Sequence, residues 1–235
     1  TTMRPQALIG LIAWTCLTMA DASAEAVTFE VSFTNTNYQV SAAPGDPNSD
    51  TFADLLVQHH LGTPISSTSV TGIENIATSV YAGGISGDYS VLMTTTLDVD
   101  VAGDYTFQVG ADWGRGGGAA LIDTVSNTIL QETVTEDDIW WGYNWNHTDV
   151  ISTTYTLTEG LYTMAWVGFE GCCAGSSTVR FSFNGAPFGA LNMTNLTPYV
   201  VPIPAPVFLF ASSVVALFGI NKCNRARTQE GLAAA

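Results

Sequence analysis

Two cysteines stand side by side in "FEGCCAGSS" (169–177), a loop otherwise made of small residues. Outside the cell such a pair can close on itself, join another chain, or remain as two free thiols. A bridge between neighbours is strained: bridged Cα atoms usually lie ~5.5 Å apart, and neighbours across a trans peptide ~3.8 Å. Gly171 and Gly175 flank the pair with permissive backbone. A disulfide between Cys172 and Cys173 is the expected form, with free thiols and an intermolecular bond as the alternatives.

The second chemically loaded stretch is "EDDIWWGYNWNHTD" (136–149). As a strand it puts Ile139, Trp141, Tyr143, Trp145 and His147 on one face and Trp140, Gly142, Asn144 and Asn146 on the other. Three readings stay open. It is a core strand; or Trp141, Tyr143 and Trp145 form a partly exposed platform for glycans beside Asp137 and Asp138; or those two acids build a calcium loop.

Catalytic patterns are sparse. His59, His60 and His147 have no metal-ligand spacing with the cysteines, and no G-x-S-x-G occurs. Residues 25–200 hold no lysine to act as a base or to form a Schiff base. "GRGGG" lacks the lysine and following helix of a phosphate cradle and reads as a flexible loop. The chain is read as non-enzymatic.

The ends describe an exported protein. "MRPQALIGLIAWTCLTMADASA" carries Arg4, an apolar run over 7–17 and a closing A-x-A, the pattern of a signal peptide over 1–24. Near the other end, Pro202, Pro204 and Pro206 precede an uncharged apolar stretch at 207–220, followed by Lys222, Arg225 and Arg227. A helix over 207–220 reaches about 21 Å, short for a bilayer, and the basic residues after it favour the cytoplasmic side. Between the ends, nineteen carboxylates face two arginines, Arg115 and Arg180, for a charge of −17. Such a surface repels nucleic acid and anionic lipid and attracts divalent cations.

Those elements must be positioned by strands. "VTFEVSF", "SVLMTTTLDVDV", "GDYTFQVGA", "AALIDTV", "NTILQETV", "VISTTYTLT", "GLYTMAWVGFE" and "STVRFSFNG" alternate and are bounded by Gly, Asp or Asn. "TFADLLVQHHLG" has helical spacing, stopped at Gly62. The fold expected is all-β, an antiparallel β-sandwich over 25–190. A signal helix precedes it. A linker with the V-P-x-P motif (191–206), a short hydrophobic helix (207–220) and a basic tail (221–235) follow it.

The Pro-x-Pro, apolar helix and basic cluster resemble the C-terminal signal of PEP-CTERM proteins, and together with "FEGCC-x-G" the group called CCXG family PEP-CTERM proteins. That resemblance implies sorting through Pro202 and Pro204 by an exosortase-type transpeptidase, transient anchoring in the inner membrane of a Gram-negative bacterium, and residence on the cell surface or in the extracellular matrix. Residues 87–183 also resemble protective-antigen-type lectin domains, through "DYSVLMTTTLDVDVAGDYTFQVGADWGRGGGAALID" and "LTEGLYTMAWVGFEGCCAGSSTVRFSF". In those lectins two adjacent aspartates of an acidic loop hold calcium and a second loop completes the site. Here Asp112 keeps an acid and Trp113 stands where the second would be, with Glu170 as a further oxygen donor. The resemblance implies calcium at Asp112 and Glu170, and extracellular polysaccharide bound at Asp112, Trp113, Glu170, Cys172 and Cys173, with Trp113 as a stacking wall. Its alternative is a structural or self-assembling surface protein without a dedicated ligand site.

Overall fold

In β1 (Val27–Asn35), alternate residues Val27, Phe29, Val31 and Phe33 are buried, so one strand face is apolar and must be covered. The same alternation recurs through a chain whose computed structural model describes residues 27–42, 46 and 48–201. The signal peptide, Pro202 and Pro204, the apolar stretch at 207–220 and the basic tail lie outside the described residues. Among the described residues no helix is long and apolar enough to cross a membrane.

The remaining strands are β2 (Thr63–Val70), β3 (Ile76–Ala77), β4 (Tyr89–Val99), β5 (Gly103–Gly110), β6 (Asp112–Trp113), β7 (Gly117–Asp123) and β8 (Thr128–Thr135). After them come β9 (Ile139–Trp140), β10 (Ile151–Leu157), β11 (Gly160–Glu170), β12 (Ser176–Phe183), β13 (Gly189–Ala190) and β14 (Val200–Val201). One sheet runs β2-β1-β4-β11-β7-β8, with β14 added beside β4, and the other runs β10-β5-β12-β13, with β3 added beside β12. All pairings are antiparallel. The expected antiparallel sandwich is what forms. Between the sheets lie Phe29, Met93 and Trp166 from the first and Tyr105, Phe107 and Phe181 from the second, all buried.

The large sheet is covered on its other face as well. Helix α1 (Phe52–Leu61) starts at Thr51, whose hydroxyl accepts the Asp54 N–H while the Asp54 carboxylate accepts the Thr51 N–H, a closed capping box. It lays Phe52, Leu55 and Leu56 over Leu92, Ala120, Ala165 and Val167. Cover on both faces leaves β4 and β11 almost continuously buried over most of their length.

β2 was not expected. "TPISSTSV" lacks alternation, and its exposed pattern is that of an edge strand held by β1 alone. The segment from 191, read as a linker, contributes Leu191, Leu196 and Val200 to the core, and Val200 pairs with Val99. "GRGGG" is not a flexible loop: Gly117 and Gly118 enter β7, where neighbours on both faces leave no room for a side chain.

A buried histidine fastens the helix to the sheet. The Thr34 hydroxyl donates to the His59 carbonyl at 2.9 Å, so its lone pairs accept the Ser90 hydroxyl at 2.8 Å. Ser90 then accepts from His59 Nδ1 at 2.7 Å, and Nε2 accepts the Ser32 hydroxyl at 2.9 Å. A serine on an imidazole is also the geometry of a nucleophile and its base. Here the imidazole is backed by hydroxyls rather than a carboxylate, and burial, then His60, lower its pKa to about 3. Nothing stabilises the imidazolium that such a base must become, so the chain of bonds is structural. The depressed pKa predicts that stability falls as pH drops below about 6.5, because the unfolded histidine takes up a proton that the folded one refuses. Urea unfolding between pH 6 and 4.5 should show a slope of up to about 1.4 kcal/mol per pH unit that is reduced in His59→Asn; an unchanged slope contradicts this assignment.

Candidate functional site

Beyond the end of β5 the chain passes through Ala111 into β6, which pairs with β9: Asp112 faces Trp140 and Trp113 faces Ile139. This ribbon projects beside the loop that leaves β11. The two are joined by the carboxylate of Glu170, 1% exposed, whose Oε2 accepts the Gly114 N–H at 2.7 Å. Its Oε1 accepts the N–H groups of Gly171 at 2.7 Å and Cys172 at 2.9 Å. The Gly175 N–H reaches the Tyr89 hydroxyl at 3.3 Å, and Thr78 donates to the Gly175 carbonyl at 3.2 Å. Both loops therefore open at one end of the sandwich, as expected.

Between them is a pocket of about 310 Å³ lined by Asn75, Asp112, Trp140, Tyr143, Gly175 and Ser176, among others. The hydroxyls of Tyr143 and Ser176 lie 3.0 Å apart across it. Trp140 and Tyr143 are 58% and 71% exposed, so their rings are available to an incoming molecule. Burial, then Glu170 and Asp138, raise the pKa of Asp112, which leaves a carboxylate whose charge is poorly solvated and open to a donor from a ligand. Cys172 and Cys173 are joined by a disulfide with Cα atoms 3.8 Å apart, and both residues are exposed on the loop that continues into the pocket wall at Ala174. Gly87, at φ +148°, fits beneath that loop, where a Cβ would come 3.2 Å from the Gly171 carbonyl oxygen.

The expected site residues are thus redistributed. Asp112, Trp141 and Tyr143 line the pocket, and Cys172 and Cys173 sit on its neighbouring loop. Trp113, expected as a stacking wall, is 1% exposed; its indole N–H donates to the Ser177 hydroxyl at 3.0 Å and its ring lies over Gly168. Trp141 reaches the pocket wall but is largely buried, with its ring over Gly110. Trp145 is half-buried and stacks 4.2 Å from the guanidinium of Arg180, which has Phe188 on it at 4.4 Å, so its ring is engaged within the chain. The parity reading fails because β9 ends at Trp140 and positive φ at Gly142 (56°) and Tyr143 (58°) turns the chain. Trp140, assigned by parity to the polar face, was missed, as were Asn75 and Ser176. Gly142 inside the aromatic run was the one local signal of the turn.

Calcium does not fit the residues expected to hold it. Glu170 presents its oxygens to three N–H donors, an environment built for an anion rather than for sharing with a cation. Among the described residues no three His, Cys, Asp or Glu side chains gather to hold a metal ion. Arg115 pairs with Asp88 at 2.8 Å and not with Asp112.

No family model and no curated protein match the chain. Solved structures are similar to it over most of its length. The PA14 sugar-binding domain from an RTX adhesin is 13% identical, with 73% of this chain and 97% of that one covered at a TM-score of 0.41. The epithelial adhesin 9 A domain from Candida glabrata, in complex with Galb1-4GlcNAc, is 10% identical, with 73% and 95% covered at 0.44. The PA14 domain of the MpAFP antifreeze protein is 12% identical, with 74% and 93% covered at 0.44. At these scores the likeness carries no ligand, site or activity over to this chain.

Glu170→Gln offers one carbonyl oxygen where two carboxylate oxygens now serve three donors. It should destabilise the protein by about 2–3 kcal/mol in urea unfolding and loosen the loop at Cys172. A variant of unchanged stability would show that the carboxylate does not fasten the two loops.

Proposed function

We propose that the protein is a non-catalytic carbohydrate-binding protein of the cell surface or extracellular matrix, and that its ligand is exopolysaccharide. The observation that carries this is the pocket itself. Two exposed rings, Trp140 and Tyr143, stand beside a poorly solvated carboxylate and the polar groups of Asn75 and Ser176. A pyranose has the matching chemistry, a C–H face for a ring and hydroxyls for the carboxylate and amide. The disulfide-bonded Cys172–Cys173 pair adds a stiff apolar ridge beside the same wall. Export through the signal peptide, and sorting at Pro202 and Pro204 by an exosortase-type transpeptidase after transient anchoring in the inner membrane, belong to the same proposal. They rest on the sequence resemblance, as does the assignment to a Gram-negative bacterium.

A glycan array probed with the purified protein should give hits among polysaccharide fragments. Trp140→Ala and Tyr143→Ala should each weaken those hits by about tenfold or more, equivalent to ~1.4 kcal/mol. Binding that survives both substitutions removes the pocket from the reading. A folded Cys172→Ser/Cys173→Ser variant that binds as tightly as the parent removes the disulfide from it.

The edge strand supports a second reading, self-assembly. β2 is exposed along most of its length, "TPISSTSV" has no charged residue, and only Pro64 and the adjoining irregularity in its pairing with β1 blunt it. If β2 pairs copies of the chain, sedimentation should show concentration-dependent oligomers that Ser67→Lys abolishes; a monomer at all concentrations excludes it.

A further inference from the structure

Helix α1 covers only part of the outer face of the large sheet. Beside it lies a separate trough of about 390 Å³, which shares no lining residue with the Asp112 pocket. Its floor includes Glu30, Ser32, Thr94, Thr96 and Thr163, and β2 forms a wall with Ser67. The hydroxyls lie in rows across the strands. Thr28 is in register with Thr96 and Thr96 with Thr163, whose hydroxyls are 3.0 Å apart, and Glu30 is in register with Thr94.

Glu30 is the one carboxylate of this trough. It is exposed there, partial burial against the trough walls raises its pKa, and among the described residues no hydrogen bond or ion pair engages it. The other titratable groups lining the trough are His59 and His60 from α1; burial lowers the pKa of both, which disfavours their cationic forms. β1, β2, β4 and β11 place no further charge there. Glu30 is therefore a single, exposed and unpaired negative charge in a trough floored with hydroxyls.

We infer that this trough binds an amino sugar with a free amino group, its ammonium on the Glu30 carboxylate and its ring hydroxyls on the serine and threonine floor. A neutral sugar leaves the carboxylate without a counter-charge. A lone divalent cation would find one carboxylate where it needs several oxygens. The charge of −17 over residues 25–200 also draws cationic chains toward the surface. The inference does not depend on the Asp112 pocket.

The test is calorimetric titration at low salt and pH 6 with a glucosamine tetramer and its N-acetylated counterpart. The parent protein should bind the free amine form about tenfold more tightly, and Glu30→Gln should remove the difference. Thr94→Val, which keeps the charge, should weaken binding of the glucosamine tetramer by a smaller factor. Glu74→Gln removes the same charge from an exposed position outside the trough and should change nothing; Tyr143→Ala should also leave the preference intact. The inference fails if Glu30→Gln binds both tetramers as the parent does. It fails equally if Glu74→Gln loses as much, which reports general attraction to an acidic surface, or if Tyr143→Ala abolishes binding, which assigns it to the other pocket.

Discussion

The candidate site is held by one buried anion. A carboxylate removed from water is costly unless hydrogen bonds replace its hydration, and Glu170 is supplied with three backbone donors. Two come from the loop that follows it and one from Gly114, 56 residues earlier in the chain. The charge therefore cannot be satisfied unless both loops are in place, which makes their apposition cooperative rather than incidental. Backbone bonds continue the seal, from Arg115 N to the Phe169 carbonyl at 3.0 Å and from Phe169 N to the Gly116 carbonyl at 3.0 Å. The ion pair of Arg115 with Asp88 ties in the turn before β4. The same arrangement decides against a cation: an oxygen surrounded by N–H groups is already serving positive partial charges.

Glycines then determine which rings remain outside. Trp113 lies over Gly168 and Gly117, and Trp141 over Gly110, so that a Cβ at any of the three would strike an indole. Each socket removes a tryptophan from the surface and fills the end of the sandwich. Trp140 lies instead against Gly142 of its own loop, with the His147 ring 6.0 Å away, and stays 58% exposed. The exposed pair is a consequence of where small residues were placed on other strands, not of the aromatic run alone.

That distinction separates what was legible in the sequence from what was not. The strands were legible wherever one face is apolar, as in "VTFEVSF", and α1 was legible from its spacing and from Gly62. The cysteine bridge was legible because, of four cysteines, only two stand within residues 25–200, and they are neighbours. β2 was hidden because a strand exposed along most of its length needs no alternation. The aromatic platform was misassigned because period-two reasoning assumes a continuous strand, and two residues with positive φ break it. Trp113 was misplaced because its socket, Gly168, is 55 residues away, beyond the reach of any local pattern. Glu170 was expected to be a ligand and instead fastens two loops, since a list of acids does not say which N–H groups point at them.

The outer face of the large sheet shows the reverse case, where polarity along a strand records what covers it. Outward positions on β4 run Leu92, Thr94, Thr96, and those opposite on β11 run Val167, Ala165, Thr163, in register row by row. Apolar side chains occupy the rows beneath α1, and hydroxyls begin where that cover ends. A ten-residue helix is about 15 Å long, enough to cross about three strands at ~4.8 Å spacing. The uncovered rows must then be wettable, and threonine meets that need while keeping the β-branched shape a central strand favours. Hydroxyls alone would satisfy water. Glu30 adds to them the trough's one carboxylate, exposed to solvent, so the rows that α1 leaves bare are polar and carry a negative charge.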